Sequence, residues 1–282
     1  MDKMRALVFK DVGNLVLEEV PIPHVKAPDD VLLKIKAVGI CGSDVKIVEG
    51  KHHFKPNTIL GHEFCGEVVE VGSHVTHYKI GDRVAVDNNI RCGFCEYCRR
   101  GLTSQCVDIK TSALGVMRDG GYAEYCLVPE KQCFLLPDAI DDVLGTQVET
   151  LATVVNGMNT LQMLPYEYVM VIGFGPIGYL FAQFAKNIAA KVAVTEIDPF
   201  RINVAKQCGL TVWNPNEVDV VEKIKEFTSN VVVFFFKNLS IFARTFFTVL
   251  IVFAITLHRI NKKQRKHFHP FLKELFFFFE VR

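Results

Sequence analysis

The densest set of ligand-forming side chains in this 282-residue sequence is Cys92-Gly-Phe-Cys95-Glu-Tyr-Cys98, followed by Cys106. Two C-x-x-C steps share the middle cysteine, and the fourth cysteine lies eight residues on. Thiolates at this spacing can close on one tetrahedral ion. Zinc held by four sulfurs has no open position, so the site reads as structural. Iron–sulfur ligation is the competing chemistry, because four thiolates also suit iron. A second set pairs Cys41-Gly42-Ser43-Asp44 with Gly61-His62-Glu63. Cysteine, neutral histidine and a carboxylate can make a three-residue zinc site whose fourth place takes water or substrate. Each piece alone is weak, since a single cysteine is usually a small buried hydrophobe.

A third pattern is Gly173-Phe174-Gly175-Pro176-Ile177-Gly178. It follows the apolar run Tyr168-Val169-Met170-Val171-Ile172, which suits a strand buried on both faces, and it precedes an apolar helix from Tyr179 to Lys186. In that context the first glycine turns the chain, the second admits a pyrophosphate, and the third packs helix on strand. The helix N-terminus then presents N–H groups to the phosphates. Eighteen residues after Gly178, the strand Lys191-Val192-Ala193-Val194-Thr195 ends in Glu196. An acid there binds ribose hydroxyls and repels a 2′-phosphate, which favours NAD over NADP, while nearby Arg201 works the other way.

The elements that must position these residues change character near Thr150. Before it, 7–9, 31–35, 66–71 and 81–86 show the β-rich or alternating patterns of short strands bounded by Gly, Pro and Asp, the rhythm of a small β-barrel-like domain. After it, Ala152 to Met163 predicts a helix closed by Pro165, and strand–helix alternation follows. The expected organisation is therefore 1–150, 151–230 and a third segment, 231–282. Cys65, Cys126, Cys133 and Cys208 have no partner pattern and read as core residues.

Taken together, Cys41-Gly42-Ser43-Asp44, Gly61-His62-Glu63, the Cys92/95/98/106 lobe, Gly120-Gly121-Tyr122-Ala123-Glu124-Tyr125 and the 173–178 glycine motif resemble the zinc-containing medium-chain alcohol/polyol dehydrogenases. The resemblance runs from about residue 4 to about residue 228, with five motifs in the family's order. Sorbitol- and sugar-acid-type members are the most similar branch. It implies an α/β chain, with an N-terminal GroES-like β-barrel domain and a Rossmann doubly wound parallel sheet, the latter incomplete. It implies two zinc ions and NAD. Cys41 and His62 are implied as catalytic zinc ligands, Glu63 as a second-shell or alternating ligand, and Asp44 as the group orienting His62. The polyol branch takes a third ligand from a Glu-Pro pair. That place reads Glu149-Thr150 here, so Glu149 is the candidate and Thr150 departs from the pattern. Ser43 is implied as the start of a proton relay, with Lys46 where the family often has histidine. Gly173, Gly175, Pro176, Ile177, Gly178, Glu196 and Arg201 are implied at the cofactor. The implied reaction is oxidation of a secondary alcohol, a polyol or sugar derivative, by hydride transfer to NAD. The competing readings are a non-catalytic zinc- and nucleotide-binding protein and a membrane-tethered protein.

Composition limits the partners. Net charge is +1, which gives no global field for nucleic acid or an acidic polymer. The N-terminus lacks a signal-like apolar run, so nine cysteines predict a reducing, cytoplasmic setting. The balance hides a break: residues 231–282 hold 13 of the 23 Phe, no Gly, and a net charge of +7, leaving the first 230 residues at −6. That tail reads first as an out-of-frame translation of A/T-rich DNA. A membrane anchor through 240–257 and a core helix are the alternatives. Val231-Val232-Val233-Phe234 is the candidate fourth strand. Relatives of this type are expected to be homo-oligomers through the part this tail replaces.

Overall fold

The computed structural model describes residues 2–52, 55–189 and 191–229, together with the backbone of 233–237. The chain divides into two compact units, with the break between Asn156 and Gly157.

In the first unit, β1 (Lys3–Asp11) and β2 (Asn14–Pro21) form a hairpin, and the two-residue strand β4 (Thr58–Ile59) adds to the other side of β1. The second sheet uses β3 (Asp30–Gly39), β5 (Glu63–Val71), β6 (Arg83–Val86), β7 (Tyr125–Pro129) and β8 (Cys133–Leu135) in the order β7-β3-β5-β6-β8. Its neighbours are antiparallel. Alternation places Val31, Leu33, Phe64, Val68, Val84, Val86, Cys126, Val128 and Cys133 in one buried cluster with Leu114. Two register shifts in β3, at Leu32/Leu33 and Ile35/Ala37, mark bulges, which raise local twist and bend a strand around such a core. The strand expected at 66–71 starts three residues earlier, at Glu63. Glu63, Phe64 and Cys65 are buried in succession, so no alternation signals that start.

Helices in this unit are short: α1 (Gly42–Val48), α2 (Glu96–Arg99), α3 (Ile109–Ser112) and α4 (Asp142–Gly145). The long helix α5 (Gln147–Leu161) opens before the expected Ala152, and the unit break falls within it. Its first turn contributes Glu149 and the buried Thr150, polar residues that give no apolar period.

The second unit is a parallel sheet. The strands β9 (Tyr168–Ile172), β10 (Lys191–Thr195), β11 (Thr211–Trp213) and β12 (Val233–Lys237) lie in the order β11-β10-β9-β12. Order reverses between β9 and β12, the place where such sheets open a crevice at their carboxyl ends. Val233 and Phe234 thus fall in the fourth strand, while Val231 and Val232 lie outside the described residues. Three helices connect these strands, α6 (Pro176–Lys186), α7 (Pro199–Gln207) and α8 (Val220–Thr228). Helix α6 buries Gly178, Phe181, Ala182 and Ala185, a single face at helical spacing. Asp198 caps α7 through the Arg201 N–H at 2.9 Å, and Asp219 caps α8 through the Val221 N–H at 2.9 Å. Cys65, Cys126 and Cys133 are buried as expected, whereas Cys208 ends α7 only half-buried. The proposed span 240–257 lies outside the described residues; among those described, no helix is long and apolar enough to cross a membrane.

Candidate functional site

Sheet register assembles the first cluster. Gly39, the last residue of β3, pairs with Glu63, the first of β5. Cys41 then caps α1, and His62 immediately precedes β5. One donor atom each from Cys41, His62 and Glu63 lies within 4.8 Å of the others. Gly61 permits the approach: its φ is +89°, and an added Cβ would sit 2.6 Å from the Tyr122 ring.

Asp44 organises this cluster. Its Oδ2 accepts the Cys41 N–H at 2.9 Å and the Tyr122 hydroxyl at 2.8 Å, and its Oδ1 lies 3.1 Å from His62 Nδ1. With Nδ1 donating to Asp44, Nε2 is the nitrogen left to take a cation, whether a proton or a metal ion. Ser43 Oγ lies 3.4 Å from that Nε2. Burial works against a charged imidazole, but the hydrogen bonds to Asp44 and Cys41, with the charges of Asp44 and Glu149, raise its pKa well above the ordinary value. The surroundings of His62 therefore favour a positive charge, and thiolate, imidazole and carboxylate are the donor chemistry zinc takes. The fit to a metal cation is good.

Glu149 stands in the first turn of α5, where burial raises its carboxyl pKa; His62 opposes that shift, and Glu63, Asp87 and Asp44 add to it. It shares the field of the cluster, while the three donors that converge are Cys41, His62 and Glu63. The Thr150 hydroxyl donates to Glu63 Oε1 at 3.0 Å. Lys46 is half-buried on α1, and burial lowers its pKa against the nearby Cys41 and Glu49. His52 is exposed, and His53 lies outside the described residues. Sequence reasoning gave no role to Tyr122 or Gly39 and treated Thr150 only as a departure. For Gly39 the missing information was strand register, and for Tyr122 and Thr150 it was contacts with residues 78 and 87 positions away in sequence.

The second cluster is Cys92, Cys95, Cys98 and Cys106, whose sulfurs also lie within 4.8 Å of one another. The Cys92 N–H donates to Cys106 Sγ, and the Cys95 N–H to Cys92 Sγ, both at 3.3 Å. Backbone N–H groups hold the Cys95 thiol down to about 6, while burial and then the other three sulfurs push Cys98 up to about 12. Four sulfurs this close do not share negative charge readily without a cation, and a dication that accepts four thiolates fits them.

In the second unit, the 173–178 turn connects β9 to α6. A Cβ on Gly178 would lie 2.1 Å from the Gly173 carbonyl oxygen, so only glycine allows this packing of helix on loop. Gly175 caps α6, Pro176 opens it, and Ile177 follows in its first turn, where backbone N–H groups lack intrahelical acceptors. Glu196 is buried beside this loop. Its Oε2 accepts the Phe174 N–H at 2.7 Å, and its Oε1 accepts those of Ile197 at 2.7 Å and Asp198 at 3.1 Å. Arg201 Nη1 lies 3.8 Å from Oε2. Glu196 thus ties the end of β10 to the glycine turn, and the turn has the tight shape a pyrophosphate-binding loop needs.

The first unit thus carries two clusters of metal-donor side chains, and the second a parallel sheet opened by a glycine turn. The alcohol dehydrogenase GroES-like domain matches residues 27–138. Sorbitol dehydrogenase of Bacillus subtilis (strain 168) is 33% identical over 80% of this chain and 65% of its own length. L-threonine 3-dehydrogenase of Chelativorans sp. (strain BNC1) is 38% identical over 78% of this chain and 66% of its own. A solved protein from Escherichia coli CFT073, described as a short chain alcohol dehydrogenase and complexed with NADH, is 30% identical, with TM-score 0.77, over 85% of this chain and 70% of that one. The chain belongs to the zinc-containing medium-chain dehydrogenase/reductase family. It spans about two thirds of the length of these curated relatives.

Proposed function

We propose that this chain is a zinc- and NAD-dependent dehydrogenase acting on the secondary hydroxyl of a small alcohol, a polyol or sugar derivative. The observation that carries the reading is the convergence of Cys41, His62 and Glu63, a three-donor set that leaves one position for substrate. Sorbitol and L-threonine, for which two relatives are named, both carry secondary hydroxyls. Bound zinc would supply Lewis acidity to the substrate hydroxyl, and bound NAD would accept the hydride.

The chain's own residues would do the rest. Cys41, His62 and Glu63 would hold the metal, with Glu149 as a second carboxylate beside them. Asp44 would keep the His62 imidazole in one tautomer and orientation. Ser43, at 3.4 Å from His62 Nε2, would receive the hydroxyl proton and pass it outward. Cys92, Cys95, Cys98 and Cys106 would hold a structural zinc. Gly173, Gly175, Pro176, Ile177 and Gly178 would cradle the pyrophosphate, with Glu196 and Arg201 at the adenosine ribose. We place 1–150 as the catalytic domain, 151–230 as the first half of the nucleotide domain and 231–282 as a tail of aberrant composition, whose strand β12 still adds to the nucleotide-domain sheet. A reducing compartment such as the cytoplasm suits nine free cysteines.

The test is metal content by atomic absorption, NADH binding by fluorescence, and NADH formation over a panel of polyols and hydroxy amino acids. Zinc at both clusters with alcohol-dependent NADH formation supports the proposal. Zinc and NADH binding without turnover would leave the non-catalytic zinc- and nucleotide-binding reading in its place.

A further inference from the structure

Glu63 is a carboxylate with one oxygen held by a hydrogen bond and the other lying over a glycine. Thr150 and Glu63 are 7% and 8% exposed, so water does not compete for their contact. The Thr150 hydroxyl donates to Oε1 at 3.0 Å. Oε2 packs over Gly39, where an added Cβ would lie 2.6 Å away. Rotation of the carboxylate would break the first contact. Thr150 and Glu149 are adjacent in the first turn of α5, and successive helical residues leave the axis about 100° apart. One residue therefore reaches Glu63 while its neighbour stays a separate acid. A proline at position 150 has no hydroxyl to donate.

We infer that Thr150 is a positioning residue that fixes Glu63, rather than Glu149, as the carboxylate of the Cys41–His62 metal centre; the inference rests on the metal-centre reading above. Holding the carboxylate in place before the ion arrives removes the ordering cost of a buried side chain from metal binding. It also sets the ligand field, because the oxygen already engaged by Thr150 is a weaker donor than its free neighbour.

The experiment is cobalt titration of the full chain, followed by visible absorption, for wild type, Thr150→Val and Thr150→Ser. Cys41→Ser identifies the part of the spectrum that belongs to the mixed-donor centre. The four-cysteine centre gives a separate thiolate charge-transfer signal, and its persistence shows that a variant is folded. Thr150→Val is expected to weaken cobalt at the Cys41 centre about tenfold or more and to shift its d–d bands, while Thr150→Ser restores both. Unchanged affinity and bands in Thr150→Val overturn the inference and leave the metal centre standing. Thr150→Ala takes the place of the valine variant, with the same two outcomes, if valine prevents folding. A wild-type chain that binds cobalt only at the four cysteines overturns the metal-centre reading and this inference with it.

Discussion

His62 Nδ1 faces Asp44 Oδ1 at 3.1 Å, and the same carboxylate accepts the Cys41 N–H and the Tyr122 hydroxyl through Oδ2. One buried acid therefore fixes a ring, a cap and a neighbouring strand-to-strand segment together. Asp44→Asn keeps the shape but turns an NH2 toward donors. It should lower stability by about 1–3 kcal/mol and read as a fall in unfolding temperature. Zinc affinity at this cluster should drop about 10- to 100-fold in chelator competition. Equal affinity in variant and wild type would remove Asp44 from the site.

Gly39 makes a second, sterically defined prediction. Its missing side chain is the space in which Glu63 Oε2 sits. Gly39→Ala should displace that carboxylate and weaken metal binding at Cys41/His62/Glu63, with the four-cysteine centre still fully loaded. Metal stoichiometry by mass spectrometry under native conditions separates the two. Full loading of both centres would show that Glu63 contributes nothing there.

Much of this architecture was legible because particular residues carry local rules. The four cysteines announce their cluster by spacing alone, and the glycine turn is readable because an apolar strand precedes it and an apolar helix follows. The metal cluster was legible only through resemblance. Cys41 and His62 are 21 positions apart in sequence and meet because Gly39 pairs with Glu63, a register no local pattern encodes. The early starts of β5 and α5 were hidden for a related reason. Glu63, Glu149 and Thr150 are polar residues facing inward, so they erase the alternation and the helical period just where the elements begin. Glu196 shows the converse: its place at a strand end was readable, but not its three backbone partners.

The four-cysteine loop should depend on its ion. Cys106 is fully buried, while Cys92, Cys95 and Cys98 are partly exposed; the Cys92 N–H donates to Cys106 Sγ and the Cys95 N–H to Cys92 Sγ. With Phe94, Leu102 and Val107 exposed instead of packed, this lobe has little to hold it once metal leaves. Chelator treatment or Cys106→Ser should open rapid trypsin cleavage at Arg99 and Arg100, with loss of one zinc equivalent. A cleavage pattern indifferent to chelator would mean that the lobe folds without metal.

Glu196 predicts how acid affects the second unit. Burial, the largest single influence, disfavours its charge, yet three backbone N–H groups and Arg201 outweigh burial and hold the carboxyl pKa below its ordinary 4.5. A group whose folded pKa is depressed contributes stability that is fully present above the unfolded pKa and is lost as pH falls through the folded one. Unfolding temperature should therefore decline as pH drops below about 4.5, and Glu196→Gln should flatten part of that decline. At neutral pH the glutamine variant should be less stable by about 1–3 kcal/mol, because its amide cannot accept all three N–H groups. It should also bind NADH more weakly, since the Phe174 N–H that anchors the glycine turn loses its carboxylate. Parallel pH curves for variant and wild type would show that the contact of Glu196 with the turn contributes nothing to the folded state.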